Sequence, residues 1–344
     1  MNKEMNLPMV TRTLLIVAVM HVTPVALSAE NSVKVTADTY VRAETDYQFK
    51  TYVDKLGCFG KFTHSRAAYD VDNQVTVRAN RDTLYSFGVF DLTSPVTITL
   101  PDPKGRYQSL MAISQDHSIA AAYSPKKVTL TKNMVGTRYV FLAIRTLMDP
   151  GDEADVKAAH KLQDQVVVKQ ADVGKFEVPN WDKEGIETLR AAINVLGATI
   201  PDSSTFFGVK DKLDPIHHMM GAAVGWGGLP REAALYSNVY PPRNDGKTAY
   251  TLTLKDVPVD AFWSVTLYDA EGWMPINEYN AYSFNSVTSK RNADGSVTIH
   301  FGGDCEQPNY FPLVKGWNYI VRQYRPRKEI LEGEWQVPEP VEVR

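Results

Sequence analysis

Turn-forming residues interrupt this chain about every ten residues over two long stretches, a spacing that belongs to antiparallel strands rather than to strand-helix-strand units. In residues 74–145 the punctuation is Ser94-Pro95, residues 101–105, Ser124-Pro125 and residues 133–136. Between these turns Val75, Val77 and Ala79 alternate with polar residues, as do Val96, Ile98 and Leu100. Residues 107–114 and 139–144 are more continuously apolar, which predicts strands covered on both faces. Beyond residue 245 the alternation is cleaner, with Tyr250, Leu252 and Leu254, then Trp263, Val265 and Leu267, then Val297, Ile299 and Phe301 at every second position. Asn244-Asp245-Gly246 and Asp294-Gly295 mark tight reversals there. The pattern predicts a mainly β chain with a helical insert, built as two antiparallel β-sandwich or jelly-roll-like domains.

Helical spacing appears in three places. Phe49, Tyr52, Val53 and Leu56 form an i, i+3, i+4, i+7 stripe ahead of Gly57, a C-terminal stop, and His64 after it reads as a solvated loop residue. Asp152 is placed to cap a helix carrying Val156, Ala159, Leu162 and Val166 on one face. Ile186, Leu189, Ile193 and Leu196 repeat that spacing before Pro201. Residues 213–230, LDPIHHMMGAAVGWGGLP, follow as a connector whose small residues permit close backbone approach. The GxxxxGK[ST] and GxGxxG phosphate-loop spacings are absent from it. A last strand is expected at residues 317–324, then a surface tail extended by Pro326, Pro338 and Pro340.

The first residues read as a secretory leader. Lys3 and Arg12 precede an apolar run, residues 14–27, that ends in Ala26, Ser28 and Ala29, small residues suited to cleavage. His21 and Pro24 interrupt the run, which is short for a membrane span, so export to a periplasm or the exterior is expected, with no transmembrane anchoring once the leader is removed. In an oxidising compartment Cys58 and Cys305 either form one long-range bridge or stay as two thiols. A net charge of -3 gives no pull toward nucleic acid, and 44% apolar residues suffice for sizeable cores.

Several separate runs carry a family resemblance. ANRDTLYSFGVFDLTSPVTITLPDPKGRYQSLMAISQDH and GTRYVFLAIRTLMDP resemble the DUF1254 domain. GWGGLPREAALYSNVYPPRNDGKTAYTLTL, AFWSVTLYDAEGWMPINEYNAYSF, NADGSVTIHF and EILEGEWQVPEP resemble the DUF1214 domain. The resemblance implies a two-domain, mostly β protein with a jelly-roll-like C-terminal sandwich; with the leader at 1–29 and a boundary at the turn-like residues 174–180, the expected organisation is a DUF1254-like β domain with flanking helices at 30–173, a helical connector at 174–230 and a DUF1214-like jelly-roll domain at 231–344. Both names denote domains of unknown function, so the resemblance speaks to fold and is silent on activity.

The chemistry must therefore be read from the residues. Arg81, Asp82 and Tyr85 crowd the start of an apolar run: the arginine suits an anion, the aspartate a base, the tyrosine an acid or oxyanion donor. The bland alternative is a buried Arg-Asp pair pinning a turn beside a core tyrosine. Asp116-His117 follows a second long apolar run, where a histidine suits acid-base work or a structural hydrogen bond. Arg145, His218 and Trp226 complete a predicted ligand-binding set at the domain junction. No cofactor motif is evident; a divalent metal would need His117 with His217 or His218 and a carboxylate. Trp226 and Trp273 sit in Gly-flanked loops and suit an apolar or sugar ligand, whereas Trp263 has core parity. The reading is an exported protein holding, and on one version transforming, a small polar ligand in an interdomain cleft. The rival is a non-catalytic, envelope-associated or virulence-related interaction protein. Open sheet edges suggest a homo-oligomer in either case.

Overall fold

The structure, a computed structural model, describes residues 32–200 and 202–344; the leader expected at 1–29 and Pro201 lie outside the described residues. The chain runs through α1 (Tyr40–Leu56), β1 (Thr63–His64), β2 (Thr83–Asp91), β3 (Val96–Thr99), β4 (Gln108–Ser114), β5 (Ile119–Tyr123) and β6 (Lys127–Leu130). It continues through α2 (Lys132–Val135), β7 (Tyr139–Leu147), α3 (Glu153–Asp164) and β8 (Val167–Gln170). Helices α4 (Lys183–Gly197) and α5 (Pro215–Val224) lead to β9 (Ala234–Val239), β10 (Tyr250–Leu254), β11 (Trp263–Tyr268) and β12 (Ser283–Asn285). The last elements are β13 (Val297–Phe301), β14 (Tyr310–Phe311), β15 (Asn318–Tyr324), α6 (Lys328–Leu331) and β16 (Val341–Glu342).

The expected two-sandwich, mainly β architecture is present. In the first half a five-stranded antiparallel sheet, β1-β2-β7-β4-β5, faces a three-stranded sheet, β6-β3-β8. Phe90, Val96, Ile98, Leu110, Val140 and Leu142 interdigitate between them. The opposite face of the five-stranded sheet carries Met111, Ile113, Phe141 and Ala143 and is covered by Phe49 of α1. This double cover is why β7 is buried along its whole length, as its continuous apolar run predicts. In the second half, sheets β14-β13-β10-β16 and β12-β11-β15-β9 enclose Leu252, Val265, Ile299, Phe301, Trp317 and Val321. Each such fully buried large side chain contributes about 1.5–3 kcal/mol.

In the segment of chain that joins the sandwiches, α4 and α5 pack on each other and on α1. Asp214 caps α5 by accepting the amides of Ile216 and His217 at 2.8 and 3.2 Å, and Pro215 opens its first turn. The small residues of the connector do permit a close approach: a Cβ on Gly221 would lie 2.4 Å from the Phe206 carbonyl oxygen. α1 ends as expected, with Gly57 at φ 60°. Its buried face is more polar than the sequence stripe suggested, since Leu56 is exposed while Glu44 and Asp46 are buried. Glu44 is paired to Arg190 of α4 at 2.7 Å, and Asp46 accepts from Gln115 at 2.7 Å and Trp181 at 3.0 Å.

Four local expectations are corrected. Residues 74–80 form no strand; they cross to the second sandwich, and Val75 and Val77 are 84% and 47% exposed. His64 is in β1, half-buried, with Nδ1 2.7 Å from the Ser86 hydroxyl. β8, between the two predicted helices, pairs with β3. The tail forms α6 and the edge strand β16 on β10, because Trp335 and Val337 anchor it on the apolar core. Cys58 is buried and Cys305 exposed, each a free thiol. Among the described residues no helix is long and apolar enough to cross a membrane.

Candidate functional site

Antiparallel register places residues of β2, β7 and β4 in rows across the five-stranded sheet. Tyr85 lies opposite Arg145 and Arg145 opposite Ser109; the next row on that face is Phe87, Ala143 and Met111. Because side chains alternate along each strand, these rows share the face turned away from the three-stranded sheet. A cavity of about 490 Å³ opens over them. Its floor is Phe87, Met111, Phe141 and Ala143, and its walls include Tyr52 of α1, Trp226-Gly227 of the connector and Thr76, Ala79 and Asn80 of the crossing segment. The volume is that of a small-molecule site, as is an apolar lining with a few polar groups.

Arg145 is the one cationic side chain in that lining, and it is only 8% exposed. Its guanidinium lies 5.2 Å from the Tyr85 ring centroid, where the Tyr85 side chain helps to hold its charge, and it donates to Met111 Sδ at 3.7 Å, a weak acceptor. Among the described residues no carboxylate is within ion-pair distance of it. Burial acts to lower its pKa, and the facing phenols of Tyr85, Tyr236 and Tyr107 more than offset that, so it stays cationic. Tyr107, pushed up to about 12 mainly by burial, donates to Ser109 Oγ at 3.0 Å behind this row.

Among the described residues the other buried arginine, Arg322, and the partly exposed Arg138 and Arg190 are satisfied. Arg322 donates to Thr266 Oγ1 at 2.8 Å, to the Arg78 carbonyl at 3.0 Å and to the Tyr268 hydroxyl at 2.6 Å. Arg138 and Arg190 are paired with Asp91 and Glu44, at 2.8 and 2.7 Å. Arg145 stands apart as a buried charge aimed into a cavity.

The predicted site residues fall into three places. Tyr85, Arg145 and Trp226 line the cavity together. Arg81 and Asp82 precede β2 and face the second sandwich instead. The Arg81 guanidinium donates to the Tyr69 carbonyl at 3.0 Å and stacks 5.0 Å from the Tyr282 ring, with burial lowering its pKa. Asp82, 2% exposed, accepts from the Ser283 hydroxyl at 2.7 Å, and its Oδ2 has no partner among the described residues. Asp116, His117 and His218 meet beneath Trp226, around the turn after β4. Asp116 is ion-paired to Arg42, and its carbonyl accepts from His218 Nε2 at 2.8 Å. His117 accepts the Gly227 amide on Nε2 at 3.1 Å, which leaves its proton on Nδ1. Burial, aided by His218, pushes His117 down to about 3, and burial also lowers His218, so both rings are neutral at pH 7. His217 turns away to Thr205 Oγ1 at 2.8 Å. Among the described residues no three His, Cys, Asp or Glu side chains converge as metal ligands would.

Sequence reading missed Tyr52, Phe87, Met111 and Phe141. The two-residue step from Tyr85 to Phe87, and from Phe141 through Ala143 to Arg145, carried the signal. It also missed a second cavity of about 850 Å³ along β5, lined in part by Ala121, Tyr123, Phe207 and His217, with the Arg325 guanidinium 4.1 Å from the Tyr123 ring centroid.

Comparison with known proteins bears on the fold. Residues 59–134 match the model of DUF1254 and residues 241–328 that of DUF1214, each described as a protein of unknown function. Tyr85 and His117 fall in the first match, whereas Arg145, His218 and Trp226 lie between the two. The crystal structure of the VPA0106 protein from Vibrio parahaemolyticus is similar over 90% of this chain and 98% of its own, with 20% identity and a TM-score of 0.66. An uncharacterized protein from Burkholderia cenocepacia aligns over 89% of this chain and 87% of its own, with 16% identity and a TM-score of 0.47. No curated protein matches the sequence.

Proposed function

This chain is a two-domain DUF1254/DUF1214 protein, and we propose that it is exported and binds a small polar ligand in the cavity over β2, β7 and β4. One observation carries the reading: three residues singled out separately in the sequence, Tyr85, Arg145 and Trp226, converge on one cavity of ligand size. Export rests on the leader pattern of residues 1–29. Binding is favoured over catalysis because Asp82 and His117, the groups suited to acid-base work, do not line the cavity and are held by Ser283 and Gly227.

The test is a thermal-shift screen of mature protein against a chemically diverse small-molecule set, repeated with Trp226→Leu. Binders are expected to raise the melting temperature by several degrees, and the wall substitution to weaken them about tenfold or more. A screen without binders, or binders indifferent to Trp226→Leu, would remove the cavity as the functional site.

A further inference from the structure

We infer that the cavity's ligand is an organic monocarboxylate with an aromatic or aliphatic body, its carboxylate seated on Arg145. The inference rests on the reading of this cavity as the ligand site and adds the chemical class of the occupant.

The first argument is the state of Arg145. A guanidinium offers five N–H donors in a planar fork, and a buried one is costly unless acceptors meet them. Among the described residues the other buried arginine, Arg322, meets that requirement with carbonyls and hydroxyls, and even the partly exposed Arg138 and Arg190 are paired, with Asp91 and Glu44. Arg145 has the Tyr85 side chain and the thioether of Met111, and among the described residues no carboxylate or carbonyl meets its fork. An acceptor arriving from the cavity completes the same pattern.

The second argument is the count of charges. Arg145 is the only cationic side chain in the lining, and the one carboxylate there, Asp70, is exposed and held by the Asp72 amide and the Asn73 side chain, so the buried end suits one negative charge rather than the two of a phosphate monoester. A planar carboxylate matches the fork in bidentate geometry.

The third argument is the remainder of the cavity. Phe87, Phe141, Tyr52 and Trp226 present aromatic surface to anything held beyond the charged end. At about 490 Å³ the space takes a ring or a medium-length chain attached to the carboxylate.

The experiment uses phenylpropionate and octanoate, the primary amide of each, and phenyl phosphate, titrated calorimetrically into the wild-type protein and into Arg145→Gln. The expected result is binding of at least one acid about 30-fold tighter than its amide, with Arg145→Gln losing about 100-fold for the acid while leaving the amide nearly unchanged. Retained amide binding shows that the variant is folded; should the variant not fold, the acid-amide comparison on wild type decides alone. An amide equal to its acid overturns the carboxylate class and leaves the cavity standing. A preference for phenyl phosphate overturns it in favour of a phosphoryl group. If none of these compounds binds, while the broad screen yields ligands sensitive to Trp226→Leu, the class fails and the site survives; if neither set binds, the site itself fails.

Discussion

At the turn after β4, His117 adopts a left-handed backbone, φ 57°, with its ring stacked on Trp226 and its Nε2 accepting the Gly227 amide. That conformation is uncommon for a residue other than glycine and is best tolerated by Asn, Asp and His. The imidazole therefore joins the β4–β5 turn to the connector, and it does so only while neutral. Its folded pKa, about 3, lies below the unfolded value near 6.5, so the unfolded chain binds the proton more readily. Stability is accordingly undiminished above pH 6.5 and falls as the pH drops from there toward 3, by up to about 1.4 kcal/mol per pH unit from this residue. His218 and His64, also lowered by burial, act in the same direction. His117→Asn keeps a side-chain acceptor and tolerates the backbone, so its melting temperature should decline less steeply than wild type between pH 7 and 5. Equal slopes would mean that the ring does not titrate on unfolding. Sequence marked His117 for its residue type and its place after an apolar run, but burial on all sides depends on α5 and Trp226, over a hundred residues away in the chain, and no local pattern carries that.

Residues 74–80 form a bent segment with a turn at Val77-Arg78, where Arg78 has φ 53°, and they have no strand partner. Val75, Val77 and Ala79 recur at every second position, yet the left-handed backbone at Arg78 interrupts any strand and the hydrogen bonds go to the second sandwich. Gln74 and Met274 exchange two bonds, at 2.8 and 3.0 Å, the Arg78 amide donates to the Gly272 carbonyl at 2.8 Å, and the Tyr268 hydroxyl donates to the Ala79 carbonyl at 2.7 Å. Period two over three apolar positions is too short a pattern to guarantee even an extended chain. By contrast β4 and β7 were legible, because a run apolar at every position needs cover on both faces and only a central strand receives it. β8 was missed because four residues between helices leave too short a pattern. The Arg78 guanidinium fastens the segment through Asn318 Oδ1 at 2.9 Å and the Tyr240 hydroxyl at 2.8 Å. Arg78→Ala should destabilise the protein by about 1–3 kcal/mol in urea denaturation. A change below about 0.5 kcal/mol would show the contact to be of surface value only.

The two sandwiches are legible as fold class from turn spacing alone, while their seating on each other is not, because it depends on contacts distant in sequence. The core over the first sheet is shared: Leu229, Ala234, Phe262 and Tyr324 from the second half pack with Phe49, Met111 and Phe141 from the first. A shared core makes the halves stand or fall together. Urea unfolding followed by far-UV circular dichroism and by tryptophan fluorescence should give coincident single transitions, and two separated transitions would show that the sandwiches unfold independently. The crossing segment adds a further consequence. It lends Thr76, Ala79 and Asn80 to the cavity wall while Gly272, Met274 and Asn318 grip it from the other sandwich. Whatever occupant tightens that wall is thermodynamically linked to domain docking, and the linkage is reciprocal: seating the domains raises affinity by the same factor that occupancy strengthens the seating. A pull that parts the two halves is thereby also a release mechanism.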